Sequence, residues 1–130
     1  MQCKYGFGKT VNFAFDDAIA RVTQALQAEG FGVLTDIDVK ATMKKKLDRD
    51  MPPYRILGAC NPPLAHRVIS AEPTIGLLLP CNVVVRQDDV GRVHVEFMDP
   101  AAVMEMTSAP EIGAVAVEVR QRLERVMAAV

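Results

Sequence analysis

The stretch Ile75-Gly76-Leu77-Leu78-Leu79-Pro80-Cys81-Asn82-Val83-Val84-Val85-Arg86 decides the fold, together with the turn Asp88-Asp89-Val90-Gly91 and the run Arg92-Val93-His94-Val95-Glu96-Phe97-Met98 that follow it. Residues 76–86 are almost continuously apolar, interrupted only by Pro80-Cys81-Asn82. A short run of that kind is the pattern of a strand buried on both faces, or of one that meets a second subunit. Asp-Asp-Val-Gly is turn chemistry, so residues 92–98 read as the returning strand of a hairpin.

Upstream of this hairpin, strands and helices alternate. Residues 54–59 form a third strand, and Asn61 and Pro62 suit the N-cap and first turn of a helix over 63–71. Residues 31–37 alternate, with Phe31, Val33, Thr35 and Ile37 expected on one strand face. Asp38 can cap a short basic helix through Leu47 that points Val39, Met43 and Leu47 inward, before the break at Pro52-Pro53. Residues 15–29 carry Phe15, Ile19, Val22 and Leu26 at helical spacing, with Asp16 and Asp17 in the first turn. Gly30 is placed to end that helix in a left-handed conformation. Residues 2–9 supply a first strand. Downstream, Asp99-Pro100 starts a short helix, and Ser108 with Pro110 starts a last one with Ile112, Val115, Val119, Leu123 and Val126 along one side.

The order β-α-β-α-β-α-β-β-α-α, ending in a hairpin and two helices, favours α+β over a doubly wound sheet. The expected architecture is two layers: a four- or five-stranded mixed sheet with helices packed on one face, in a single domain over residues 1–130.

Composition narrows the function classes. The chain has 130 residues, half of them hydrophobic, so one core forms without a disulfide or metal staple. The net charge is −1 with both signs interspersed, which leaves no basic footprint for nucleic acid. Lys44-Lys45-Lys46 reads as a solvated helix face. No apolar run reaches the ~20 residues that span a bilayer, and the first residues lack the pattern of a secretory leader. Three cysteines are an odd number at irregular spacing, so no disulfide framework is read and a reducing cytoplasm is expected. Gly6-Phe7-Gly8-Lys9-Thr10 lacks the glycine spacing of a phosphate loop. Met98, Met104 and Met106 read as core filler. No cofactor is identified, and no metal-binding set is assigned.

The candidate site is a pair of cysteine-asparagine corners. Cys60 ends a strand just before a helix start, where free amides and the helix dipole favour a thiolate or a bound anion. Against this, free cysteine is among the most buried residue types, and Asn61 can be a cap and nothing more. Pro80-Cys81-Asn82 repeats the corner. The helix between them returns the chain, so Cys60 and Cys81 are expected at the same edge of the sheet. Side by side they can form a reversible disulfide, carry a sulfane sulfur or supply two soft metal ligands. Between the two, Cys60 is expected to be the more reactive, because only Cys60 has a helix start beside it. Asn61, Asn82 and His66 complete the candidate ligand-binding set. His66 lies one turn into the helix, where a lone histidine is more often a surface residue, and His94 is expected to point away from Val93 and Val95.

Taken together, Gly30-Phe31-Gly32-Val33, Asp36-Ile37-Asp38-Val39-Lys40-Ala41-Thr42, Ile56-Leu57-Gly58-Ala59-Cys60-Asn61-Pro62-Pro63-Leu64-Ala65, residues 75–85 and Met98-Asp99-Pro100 resemble the bacterial and archaeal domain of unknown function 302. The resemblance covers nearly the whole chain. It implies a small α+β protein found as a dimer, with no settled activity. The family's characteristic positions fall on Gly58, Cys60, Asn61, Pro62, Pro63, Gly76, Pro80, Cys81 and Asn82, and its associations favour thiol chemistry.

Three functions compete. The first is a thiol-based sulfur-handling or redox accessory protein using Cys60 and Cys81. The second is a non-catalytic dimeric module that binds a small anion or organic ligand at the helix start after Cys60. The third is a homodimeric interaction protein with no small-molecule chemistry. A homodimer is expected because residues 76–85 are apolar on both faces, whereas a two-layer fold covers a sheet on one.

Overall fold

The computed structural model describes residues 3–107 and 109–130. In chain order its elements are β1 (Gly6–Val11), α1 (Phe15–Ala28), β2 (Gly32–Asp38), α2 (Val39–Leu47), β3 (Tyr54–Cys60), α3 (Pro62–Ala71), a 3-10 turn (Pro73–Leu78), β4 (Cys81–Gln87), β5 (Val93–Met98), α4 (Pro100–Met104) and α5 (Pro110–Ala129). The start expected for the last helix at Ser108 lies outside the described residues; α5 begins at Pro110.

The five strands form one sheet in the order β1-β5-β4-β3-β2. Every neighbouring pair is antiparallel, so the sheet is not the mixed one expected. The physical reason is the connections. A hairpin joins β4 to β5, α2 and α3 each link sheet neighbours that run in opposite directions, and α1 carries the chain across the whole sheet, so that β1 and β2 run the same way but at opposite borders and never pair.

Cross-strand register sets which side chains face the helices. Leu57 pairs with Val83, and Val83 with Phe97; Val85 pairs with Val95. These residues are all buried. They pack under Ala18, Val22 and Leu26 of α1 and under Val115, Val119, Leu123 and Val126 of α5. Fully burying each such side chain stabilises by about 1.5–3 kcal/mol relative to exposure. The other face carries Thr10, Tyr54, Ile56, Val84, Arg86, His94 and Glu96, none of them buried.

Local chemistry fixes the ends of the elements as expected. Gly30 closes α1 with φ +84°, and a Cβ there would also crowd Asn61 and Arg122. Asp38 caps α2 by accepting from Ala41 N at 2.9 Å, and Asp99 caps α4 by accepting from Ala101 N at 2.9 Å.

Three expectations change. β2 shifts register by one residue between Val33 and Thr35, so Val33 pairs with Ala59 but Thr35 pairs with Gly58. The shift moves Thr35 and Ile37 to the opposite face from Val33, breaking the single apolar stripe. Second, α2 buries none of its residues and leaves Leu47 63% exposed; its stripe does not face the core. Third, only residues from Cys81 onward form a strand. Residues 73–78 make the 3-10 turn, which leaves Leu77 87% exposed. Pro73 and Gly76 favour this tight turn over a ladder in which proline lacks a donor.

Candidate functional site

The strand ends gathered at one edge of the molecule form the candidate site. The start of β2, the end of β3, the start of β4 and the end of β5 lie together because neighbours run antiparallel. Over them sit α3, the 3-10 turn, α4 and the first half of α5. The space left between these elements is a cavity of about 350 Å³. It runs from fully buried residues such as Phe31 and Ile112 out to Leu34, which is 69% exposed. It is therefore a cleft with an open mouth and not a sealed void. Among its described lining residues there is no Asp, Glu, Lys, Arg or His.

Cys60 and Cys81 both line this cavity and both are free thiols. The expected adjacency holds: they end and begin neighbouring strands at the same edge. The direct cross-strand partner of Cys81 is Ala59, so the cysteines are offset by one residue. Because the pleat alternates, their side chains leave the sheet toward opposite sides. They meet the same cavity because it lies at the strand ends, where it reaches both sides. Burial pushes the Cys81 thiol up to about 11, and the neighbouring Cys60 adds to the shift. Cys81 is thus a protonated, weakly nucleophilic thiol at neutral pH.

Asn61 is 7% exposed and lines the cavity as the N-cap of α3, its Oδ1 accepting from Leu64 N at 3.3 Å. That bond satisfies one of the free amides of the helix start. Pro62 at the first helical position has no N–H to offer. The amides that would attract an anion are correspondingly fewer than the sequence suggests.

Asn82 is exposed on the open face of the sheet, across from Gly58. A Cβ on Gly58 would collide with Thr35 Oγ1 and the Pro80 ring, so that face is closed tightly beside the cavity. His66 is exposed on α3. Neither Asn82 nor His66 lines the cavity. Of the five candidate site residues, Cys60, Asn61 and Cys81 come together.

Pro80, part of the second corner, lines the cavity as well, whereas most of the remaining lining carries no sequence signal of a site. Val115 and Val119 of α5 read as ordinary core stripe, and Leu64 and Val68 of α3 share that spacing, since helical periodicity reports a buried face but not whether that face meets another side chain or empty space. Met98, read as core filler, also lines the cavity.

His94 points to the open face as expected. It contacts Thr10 Oγ1 through Nδ1 at 3.1 Å and Asp88 Oδ2 through Nε2 at 2.8 Å. Asp88 also accepts from the Val90 and Arg92 amides at 3.1 and 2.9 Å. With His94 the largest influence, these partners hold the Asp88 carboxyl far below the usual carboxylate range. Among the described residues no group of three or more His, Cys, Asp or Glu side chains is arranged to hold a metal ion. No described helix is long and apolar enough to cross a membrane.

Comparison with curated proteins finds no match. Among solved structures the chain is similar to the crystal structure of an uncharacterized conserved protein DUF302 from Bacillus stearothermophilus, with 28% sequence identity, a TM-score of 0.89 and 98% of each chain covered. That likeness extends the fold to the whole molecule, cavity end included. The family model described as Domain of unknown function DUF302 matches residues 7–130, which take in every strand but the first residue of β1 and every helix: the chain belongs to the DUF302 family.

Proposed function

We propose that this protein is a binding module for a small, uncharged, largely apolar organic ligand held in the cavity at the Cys60–Cys81 edge of the sheet. One observation carries the reading: a cleft of about 350 Å³ enters the core with no charged side chain among its described lining residues. Ligand pockets of about 300–1,000 Å³ lined by apolar side chains with a few polar groups are the usual form of small-molecule sites. A carboxylate or phosphate taken into this space would lose its hydration without gaining a cation. The organic ligand is therefore preferred to the anion.

Thiol chemistry is the second reading, and the placement of both cysteines on the cavity wall favours it. With Cys81 held protonated, such chemistry would run through Cys60, which stands beside the start of α3. In both readings the protein acts in the cytoplasm as a homodimer. The open sheet face is the proposed contact, through the cross-strand row Ile37, Ile56 and Val84.

Thermal melting tests the binding reading. An uncharged bicyclic alcohol such as decahydro-2-naphthol should raise the melting temperature in a concentration-dependent way, because a ligand at 100 times its Kd stabilises by about 2.7 kcal/mol. The anion 2-naphthoate should leave it unchanged. Stabilisation by the anion alone would reverse the preference. Iodoacetamide labelling tests the thiol reading: Cys60 should label at pH 7.5 and Cys81 should not.

A further inference from the structure

Within that apolar cavity the chemistry of the wall is uneven. Three of its lining residues carry sulfur: Cys60 at the end of β3, Cys81 at the start of β4 and Met98 at the end of β5. They come from three neighbouring strands, so among the described lining the sulfur is gathered at the strand ends, Cys81 reaching the cavity from one side of the sheet and Cys60 and Met98 from the other. The helical wall opposite, contributed by α3 and α5, is aliphatic. Phe31, 2% exposed, adds an aromatic ring to the lining.

Sulfur is the most polarisable atom in the chain, and thioether and thiol groups make favourable contacts with aromatic ring edges at about 5 Å. An aliphatic ligand gains nothing comparable from them. Volume narrows the class further. A cavity of about 150 Å³ accepts a benzene ring, and this one is about 350 Å³. Two fused rings fit with room to spare. Cys81, protonated at neutral pH, presents a neutral thiol and not a negative charge to the ring edge.

Resting on the binding reading above, we infer that the ligand is a planar, uncharged aromatic molecule of two or three rings, held with its ring edge toward the strand ends that bring Cys60, Cys81 and Met98 to the cavity. The aliphatic side faces the other surface of the ring, and the open mouth at Leu34 and Ile69 admits it.

Isothermal titration with a matched pair tests this: 2-naphthol, which is flat and aromatic, against decahydro-2-naphthol, which has the same carbon skeleton saturated. 2-Naphthol should bind about tenfold more tightly, the gain expected of two or three sulfur–aromatic contacts. Met98→Leu keeps the side-chain volume and removes one sulfur. It should narrow the ratio by weakening 2-naphthol binding more than that of the saturated alcohol, whereas simple loss of packing would weaken both alike. If Met98→Leu does not fold, Cys60→Ala replaces it in the same comparison. Equal affinity for the two alcohols would overturn the aromatic inference and leave the apolar-ligand reading standing. Binding of neither would defeat both.

Discussion

The two ends of the sheet solve opposite problems. At the hairpin end, Asp88 gathers His94, Arg92 and two backbone amides, while Arg86 holds Glu96 across the strands at 2.7 and 3.1 Å. The apolar residues beneath, Val85, Val93 and Val95, are buried, and none of them lines the cavity. At the other end few of the described groups facing the space under the strand ends are polar, and that space is open. One end is cross-linked by polar contacts and packed; the other is left partly hollow. A void forfeits the dispersion contacts its lining would otherwise make, so the hollow end costs stability that the packed end must supply. Proteins carry such costs at functional sites and offset them elsewhere.

Blocking the mouth should produce the largest change. Ala65 is half-buried on the cavity wall of α3. Ala65→Trp should weaken 2-naphthol binding by roughly a hundredfold, about 2.7 kcal/mol, with the far-ultraviolet circular dichroism unchanged. Retained binding would place the ligand elsewhere and erase the functional meaning of the hollow end.

Side-chain truncation should sharpen the contrast in stability. Val85→Ala, at a fully buried position of the packed end, should cost about 2–3 kcal/mol in urea unfolding, combining lost burial and a new cavity. Leu79→Ala, at a half-buried position already facing open space, should cost less than about 1.5 kcal/mol. Equal costs would mean that the cleft is tightly closed in solution.

Alkaline pH should act on the hollow end alone. The Cys81 thiol is raised from 9.0 to about 11 by burial, so the folded state holds its proton more tightly than the unfolded chain does. The stability this contributes is complete below about pH 9 and is lost as pH rises through 11. The loss is on the order of 3 kcal/mol, at about 1.4 kcal/mol for each tenfold difference in proton affinity between the folded and unfolded chain. Cys81→Ala should flatten that part of a denaturation-against-pH curve.

The packed end has the opposite pH sense and the smaller effect. The Asp88 carboxyl is lowered, chiefly by His94, so its contribution is present above the ordinary carboxylate range and fades as pH falls below it. Asp88→Asn should speed amide exchange at Val90 and Arg92 while leaving exchange at Val83 unchanged.

The element order was legible because capping and turn chemistry are local. Asn61, Asp38 and Asp99 each cap the helix they announce, and Gly30 and Gly91 take the positive φ their turns require. The adjacency of Cys60 and Cys81 was legible too, since a short helix returning between two strands leaves few other places for the chain. Strand direction was less so: the hairpin announces one antiparallel pair, but nothing local states how β1 and β2 enter the sheet. The faces of β2 were hidden because a one-residue shift is a matter of pairing between distant segments. The cavity was hidden for a related reason. Leu64, Val68, Val115 and Val119 have the spacing of core residues, and spacing does not record what lies opposite. Asn82 and His66 resemble the corner residues in sequence but are carried away from it by the pleat and by the helix rotation.

The register shift in β2 also bears on how copies of this chain can meet. β2 is a free sheet edge with Leu34 and Ile37 exposed, the kind of border onto which another strand can add. A regular ladder between two such edges needs uninterrupted register, and the irregularity between Val33 and Thr35 interrupts it after two residues. The β2 border thus offers an irregular edge to a second copy. The homodimer proposed above, meeting through the open sheet face, would be of a kind that closes after two copies and does not propagate into fibres.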